Sequence, residues 1–97
     1  MATEVTISKK ARRDFENILN YIKFKFGDLS ATKFKNLVLE FLTLIESFPG
    51  LGTLELKDKN ILCAVIHKRL KVYYQIKPGK IIILRLYDTR QSPDVKF

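Results

Sequence analysis

The chain has 97 residues, of which 46% are hydrophobic and 29% are charged, and its formal net charge is +8 at pH 7. This length and composition predict one globular domain, residues 1–97, and exclude a disordered chain. No apolar stretch approaches the roughly 18 residues that a membrane span needs, and the N-terminus shows no signal-peptide pattern. We therefore expect a cytoplasmic protein that does not enter a membrane.

The chain has a single cysteine, Cys63, and a single histidine, His67. One cysteine excludes an internal disulfide framework, and one cysteine with one histidine cannot form a His/Cys metal cluster. We expect no metal and no cofactor, and we interpret Cys63 as a small core residue.

The positive charge is concentrated in two parts of the chain. Residues 9–25 contain six basic and two acidic side chains, and residues 68–97 contain eight basic and two acidic ones. The part between them is close to neutral. Two basic zones on a small protein favour an anionic partner, which could be RNA, DNA or an acidic protein segment. The alternative is an ordinary solvated surface that keeps the protein soluble.

The N-terminal half predicts a short strand followed by two helices. Glu4–Ile7 is partly β-branched and predicts a strand, and Ser8 is a suitable N-cap for the helix after it. Gly27 ends this helix, Ser30 can cap the next one, and residues 48–52 (Phe-Pro-Gly-Leu-Gly) end the second helix. Apolar residues recur at helical spacing: Ala11, Phe15, Ile18, Leu19, Ile22 and Phe26, then Phe34, Leu37, Val38, Phe41, Leu42, Ile45 and Phe48. The two helices form a hairpin with a short connector.

The C-terminal half changes to the alternating pattern that is typical of strands. Residues 61–66, 70–77 and 81–87 predict three consecutive strands, hence an antiparallel meander. The loop between the last two strands determines which of their faces coincide. A two-residue loop at Pro78 and Gly79 would bring charged side chains onto the apolar face, whereas a three-residue loop keeps polar residues with polar ones.

We choose the three-residue loop, residues 78–80, because such loops with a left-handed glycine are common in hairpins. One face of the sheet then carries the apolar residues that the helices must cover: Val72, Tyr74, Ile76, Ile82, Leu84 and Leu86. The opposite face carries Lys71, Tyr73, Gln75, Arg85 and Tyr87. The predicted fold is α+β, in the order β-α-α-β-β-β, with a helical hairpin packed on one face of a small antiparallel sheet.

Four segments in this order resemble the RelE/ParE toxin superfamily of type II toxin–antitoxin modules. The first, ISKKARRDF at residues 7–15, is similar to the family's opening "ISxxAxxDL" and is followed by the "IxxYI" spacing of Ile18, Tyr21 and Ile22. The others are FPGLG at residues 48–52, KVYYQI at residues 71–76 and ILRLYDTRQSP at residues 83–93. Each segment alone is weakly specific, but four of them at the right intervals cover nearly the whole chain.

The resemblance implies the toxin of a plasmid-stabilisation module, which inhibits growth until a cognate antitoxin wraps across it with a partly disordered segment. It implies one of two mechanisms: ParE-like toxins inhibit DNA gyrase, and RelE-like toxins cleave mRNA in the ribosomal A site. The opening segment and "FPxxG" favour the ParE-like branch. The resemblance leaves open a homodimer or a toxin–antitoxin hetero-oligomer.

Whether the chain can act as a metal-free endoribonuclease depends on the polar strand face. Such cleavage needs a base for the 2′-OH, stabilisation of the phosphate and an acid for the 5′-oxygen. Arg85 could clamp a phosphate and Tyr87 could orient substrate or donate a proton, with Lys71 and Arg90 assisting. A base is lacking, because Asp88 stands where the family often has histidine, and an exposed aspartate with a pKa of about 3.9 is a poor base at neutral pH.

The same residues also suit a docking surface for a partner. Tyrosines supply contact area and arginines pair with acids, so Lys71, Tyr73, Arg85, Tyr87 and Arg90 are candidate partner-binding residues. Arg12 and Arg13 join this candidate set from the first helix, where four cations oppose the helix dipole. The structural alternative is that Arg85 pairs with an acid of this chain and that the tyrosines only pack on the sheet. We favour docking over catalysis.

Overall fold

The computed structural model describes residues 3–67 and 70–88. The elements are β1 (Glu4–Ile7), α1 (Lys9–Phe26), α2 (Asp28–Ser47), β2 (Thr53–Leu56), β3 (Ile61–His67), β4 (Leu70–Lys77) and β5 (Lys80–Asp88). This order confirms the predicted β-α-α-β-β-β architecture and adds the four-residue strand β2. Sequence reading leaves β2 out although its residues, Thr-Leu-Glu-Leu, alternate, because the strand is only four residues long; all four are exposed. Neither helix in the described parts is long and apolar enough to cross a membrane.

The two helices form a hairpin through a single residue, Gly27. Its φ of 92° lies in the region that glycine favours, so it ends α1 and starts α2 without a longer loop. The predicted cap at Ser30 is wrong, because α2 begins two residues earlier and Ser30 lies within its first turn. Ser8 caps α1 as predicted: the Ala11 amide donates to Ser8 Oγ at 3.0 Å. Ser8 Oγ also donates to the Leu84 carbonyl at 3.0 Å, which joins the start of α1 to β5.

The five strands form one mixed sheet in the order β1-β5-β4-β3-β2. Strands β2 to β5 pair antiparallel as a meander. β1 lies parallel to β5, with its last pair between Ile7 and Ile83. The helical hairpin covers one face of this sheet, and the main core lies between them.

A bulge in β5 corrects the predicted register. Near the turn the two-residue loop is present, with Ile76 opposite Ile81 and Gly79 at φ 74°, so the three-residue loop is wrong. The register then shifts by one residue at Leu84, which places Tyr73 opposite Arg85, as predicted.

The bulge changes which residues of β5 face the helices. Ile81 and Ile83 lie in the main core, so the predicted core positions of Ile82 and Leu84 are wrong. Leu84 instead packs on the opposite face in a second cluster with Ile61, Cys63, Tyr73 and Tyr87. The other predicted core residues of the two strands, Val72, Tyr74, Ile76 and Leu86, belong to the main core or pack against it.

Tyr74 joins the segment at residues 48–52 to the sheet. Its fully buried hydroxyl donates to the Pro49 carbonyl and accepts from the Gly52 amide, each at 2.8 Å. A Cβ at Gly52 would lie 2.7 Å from the Cys63 carbonyl oxygen and 2.9 Å from the Tyr74 hydroxyl. The glycine is therefore required by close backbone approach, and the segment ends α2 in a fixed position against β3 and β4.

Candidate functional site

Arg85 lies in the part of β5 that continues beyond the end of β1. The chain leaves the sheet at Ser8, whose amide donates to the Ile83 carbonyl at 2.9 Å, and it turns at once into α1. The first turns of α1 then run beside the remaining edge of β5. This geometry brings Asp14 of α1 against Arg85.

Asp14 holds the Arg85 guanidinium in a bidentate ion pair. Arg85 Nε donates to Asp14 Oδ2 at 2.7 Å, and Nη2 donates to Oδ1 at 3.1 Å. The Leu86 amide donates to Asp14 Oδ2 at 3.1 Å, so the same carboxylate also satisfies the uncovered edge of β5. The hydrogen bond with Asp14 is the main cause that raises the pKa of Arg85 above its ordinary value. Arg85 is thus paired with an acid of its own chain, as the structural alternative predicted.

Tyr73 and Tyr87 pack edge to face beside this ion pair. Their ring centroids are 5.6 Å apart at an interplanar angle of 78°, and each residue is only 8% exposed. The Arg85 guanidinium carbon lies 4.8 Å from the centre of the Tyr87 ring, a cation–π contact. Burial raises the pKa of Tyr73 to about 12, and burial also raises that of Tyr87, although the charge of Arg85 opposes this. Phenols that hold their protons this tightly are weak general acids at neutral pH.

The remaining candidate residues do not gather around Arg85 as one group. Lys71 is half-buried and lies opposite Tyr87 on the neighbouring strand, as predicted. Arg12 and Arg13 are exposed on α1, so they belong to a helical surface and not to the sheet face. Arg90 lies outside the described residues.

The expectation that Asp88 is exposed is wrong, because this residue is only 2% exposed. Two residues after Leu86 along β5, it lies on the side of the sheet that the helices cover. It lines a hollow there together with Ile22 and Leu70. Asp88 is therefore part of the packed end of the sheet.

Among the residues that the structure describes at the ion pair, the cations and phenols are accompanied by a carboxylate that is already engaged. Asp14 already accepts from three donors. His67 is exposed at the last position of β3. Burial raises the pKa of the Cys63 thiol, so this cysteine is not an activated nucleophile. Across the described ranges, no group of three or more His, Cys, Asp or Glu side chains could hold a metal ion.

Sequence reasoning missed Asp14 as the partner of Arg85. The two residues are 71 positions apart, and no periodicity relates them. The one signal was that Asp14 occupies the aspartate position of the pattern "ISxxAxxDL", within an otherwise basic stretch.

Comparison with known proteins gives one family. Residues 5–93 match the model of the ParE toxin of the type II toxin–antitoxin system parDE. Among curated protein sequences, none matches this chain.

Solved structures with the same fold come from both branches of the superfamily. The chromosomal ParDE toxin–antitoxin system of P. aeruginosa superposes with a TM-score of 0.76 at 17% identity, over 89% of this chain and 95% of that one. The RelBE2 toxin–antitoxin complex of Mycobacterium tuberculosis gives 0.64 at 20% identity, over 91% and 99%. The DinJ-YafQ toxin–antitoxin complex of E. coli gives 0.62 at 11% identity, over 95% and 98%. At these identities the likeness shows the fold alone, and the family match carries the assignment: the chain belongs to the ParE toxin family of type II toxin–antitoxin systems.

Proposed function

We propose that this toxin inhibits growth by binding an essential macromolecule in the cytoplasm, with DNA gyrase as the first candidate, and that it does not cleave RNA. The observation that carries this choice is the Asp14–Arg85 ion pair. The arginine that a nuclease mechanism would need for its phosphate is engaged by a carboxylate of the same chain through two hydrogen bonds.

The surroundings of Arg85 also argue against nuclease chemistry. A phosphate that approached Arg85 would meet the negative charge of Asp14, which cancels much of the attraction. The two tyrosines hold their protons and pack against each other, and the nearby carboxylate of Asp14 already accepts three hydrogen bonds. Binding requires none of these groups to change protonation state, so it is the simpler use of this surface.

A cognate antitoxin is the second partner in the proposal. Similar solved structures are described as toxin–antitoxin complexes, which supports a partner of this kind. A groove of about 380 Å³ opens between the first half of α1 and the middle of α2, with Phe15, Val38 and Leu39 among its apolar walls. Arg12, Lys35 and the acid Glu16 also line it, so its charged rim has a net positive charge. An antitoxin segment with apolar residues flanked by acids would fit this groove.

The sheet face supplies a further contact area in this proposal. Lys71 and Arg85 carry positive charge there, beside the edge-to-face pair of Tyr73 and Tyr87, which is largely buried. We assign these four residues, with Arg13 and Arg90, to partner binding. A toxin and antitoxin that associate in this way would stabilise the plasmid that encodes them.

The test compares two activities of the purified chain. It is added to DNA gyrase in a supercoiling assay and, separately, to ribosomes that translate a defined mRNA. We expect inhibited supercoiling and intact mRNA. Cleavage of the mRNA at codons in the A site, with unaffected supercoiling, would refute the proposal.

A ribosome-dependent endoribonuclease is the second candidate, favoured by the placement of Lys71, Arg85 and Tyr87 on one sheet face. This candidate predicts that Arg85→Ala reduces A-site cleavage by orders of magnitude. It also predicts that Asp14→Ala, which frees the guanidinium, does not reduce cleavage per folded molecule. If the wild-type chain cleaves no mRNA on the ribosome, this candidate is excluded.

A further inference from the structure

The turn of the helical hairpin exposes apolar side chains that folding does not use. Phe24 is 87% exposed, Leu29 71% and Phe26 52%. Phe24 is the most exposed of the large hydrophobic residues described. Side chains this exposed contribute little to the hydrophobic core, so their presence is not explained by the stability of the fold. We refer to Phe24, Phe26 and Leu29 as the hairpin tip.

The backbone of the hairpin tip is helical on both sides of its connecting residue. α1 ends at Phe26 and α2 begins at Asp28, so Phe24, Phe26 and Leu29 all belong to helices and only Gly27 connects them. The Phe26 ring also packs edge to face against Tyr21, with centroids 6.5 Å apart. Apolar anchors fixed before binding lose little conformational entropy when a partner covers them.

Lysines surround the hairpin tip. Lys23 and Lys25 lie in the last turn of α1 and Lys33 lies in α2, and the acids described near them are Asp28 at the start of α2 and Asp88 in the adjoining hollow. Lys23 meets Asp28 at 3.8 Å, but both side chains are largely exposed, so this pair adds little stability. Favourable interaction with the helix dipole accounts for the two lysines of α1, but it does not account for the exposed phenylalanines.

A hollow lies directly beside the hairpin tip. It measures about 310 Å³, and Phe26 and Lys33 contribute to its wall, so the two surfaces are continuous. Its other apolar walls include Ile22, Phe34 and Leu70. A projecting aromatic side chain next to a largely apolar hollow is a common arrangement at protein–protein interfaces, where anchor residues of one protein fill pockets of the other.

We propose that the hairpin tip and this hollow form the surface that docks on the toxin's target, and that the target presents an acidic protein surface with an apolar cleft. The cleft receives Phe24 and Leu29, and carboxylates around it pair with Lys25 and Lys33. This proposal rests on the proposed function, because it locates target binding on one part of the molecule.

A protein fits this surface better than a nucleic acid or a membrane. None of the described residues of the tip or of the hollow is an arginine, the side chain that best recognises phosphates. Three apolar side chains at the end of a rigid hairpin bury too little area to hold a membrane, whereas a few such anchors are enough at the centre of a protein interface.

The test uses Phe24→Ser and Lys25→Glu in the full chain, with purified DNA gyrase as the probe. Because both side chains are exposed, neither variant should change the melting temperature. The matched control is Phe48→Ser, which removes another exposed phenylalanine at the opposite end of α2. We expect Phe24→Ser to weaken gyrase binding and supercoiling inhibition about 10-fold or more, Lys25→Glu to weaken them and reduce their salt dependence, and Phe48→Ser to leave them unchanged.

The outcomes separate this proposal from the one on which it rests. If the wild type inhibits gyrase and Phe24→Ser inhibits it equally well, the tip proposal is wrong and the gyrase proposal stands. If the wild type leaves gyrase unaffected, the gyrase target fails, and growth inhibition on induction becomes the readout for the tip. Loss of growth inhibition in Phe24→Ser, with antitoxin still bound, then supports the tip as target surface, and retained inhibition refutes it. The tip proposal is also refuted if the only binding that Phe24→Ser or Lys25→Glu loses is binding to the antitoxin, to anionic vesicles or to single-stranded RNA.

Discussion

The Asp14–Arg85 ion pair can be tested by a double-mutant cycle on the free energy of unfolding. Asp14→Ala removes the carboxylate that accepts from Arg85 Nε, Arg85 Nη2 and the Leu86 amide. The side chains of Asp14 and Arg85 are 15% and 30% exposed, so the pair lies between the exposed and buried limits. Exposed pairs contribute about 0–1 kcal/mol, and breaking a fully buried pair costs about 3–5 kcal/mol.

These limits set the expected magnitudes. Asp14→Ala should destabilise the fold by about 2 kcal/mol, because it breaks the ion pair and also leaves the Leu86 amide without its hydrogen-bond acceptor. Arg85→Ala should cost about 1 kcal/mol, because Asp14 keeps its backbone donor and some solvent. The double variant should show a coupling of about 1 kcal/mol. At about 4–8 °C per kcal/mol for a domain of this size, Asp14→Ala should melt roughly 10 °C below the wild type.

The assay is urea unfolding followed by circular dichroism, with Asp14→Asn as the matched control. The asparagine keeps an oxygen that can accept from the Leu86 amide but loses the charge that Arg85 needs. We expect it to fall between the wild type and Asp14→Ala. A coupling energy below about 0.3 kcal/mol, which is the usual limit for independent sites, would show that the pair does not hold Arg85 and would remove the main argument against nuclease chemistry.

Three further predictions concern the sheet. Tyr74→Phe should cost about 1–3 kcal/mol, because the Gly52 amide and the Pro49 carbonyl lose their partner, whereas Tyr21→Phe should change the melting temperature little. Gly52→Ala should cost about 1–3 kcal/mol, because its methyl group would clash with the Cys63 carbonyl. The control is Gly50→Ala, whose methyl group would meet nothing within 4 Å, and chemical denaturation measures the stability of both variants. Tyr73 keeps its proton in the folded state up to a pKa of about 12 against an ordinary value of 10.0, so its contribution to stability is complete below pH 10 and is lost as the pH rises towards 12. Tyrosinate absorbance should show one late-ionising phenol fewer in Tyr73→Phe than in the wild type, because burial also raises the pKa of Tyr74 and of Tyr87. Ionisation of every tyrosine near pH 10 before unfolding would contradict this prediction.

Patterning predicts most of the elements because their two faces differ clearly. Leu70–Lys77 alternates between apolar and polar residues, and the observed strand has the predicted bounds. Ser8 and Gly27 mark the ends of α1 by local chemistry alone, since a hydroxyl cap and a left-handed glycine act within a few residues.

The register of β5 could not be predicted in the same way. Residues 81–84 are four consecutive apolar residues, so alternation does not indicate which of them faces the helices. Because of the bulge at Leu84, the residues of β5 that face the helices are Ile81, Ile83 and Leu86, so their spacing changes from two to three. The error at Asp88 has a different cause: the predicted register already placed Leu86 on the covered face, and Asp88, two positions later on the same strand, lies on that face as well.

The strand pairing of the candidate residues was predicted, but their side-chain contacts were not. Tyr73 opposite Arg85 and Lys71 opposite Tyr87 follow from strand pairing and are confirmed. The role of Asp14 depends on where β1 ends and α1 passes the edge of β5, which is a tertiary relation that no local pattern encodes. For the same reason, the sequence could not show that Arg85 already has a partner.

The most direct measurement is induction of the wild-type chain in a bacterial host without its antitoxin. Plasmid supercoiling and the 5′ ends of cellular mRNA are then mapped from the same cultures. Our account predicts growth arrest with loss of negative supercoiling and no new mRNA ends in phase with codons. New ends at A-site codons, with supercoiling unchanged, would contradict it.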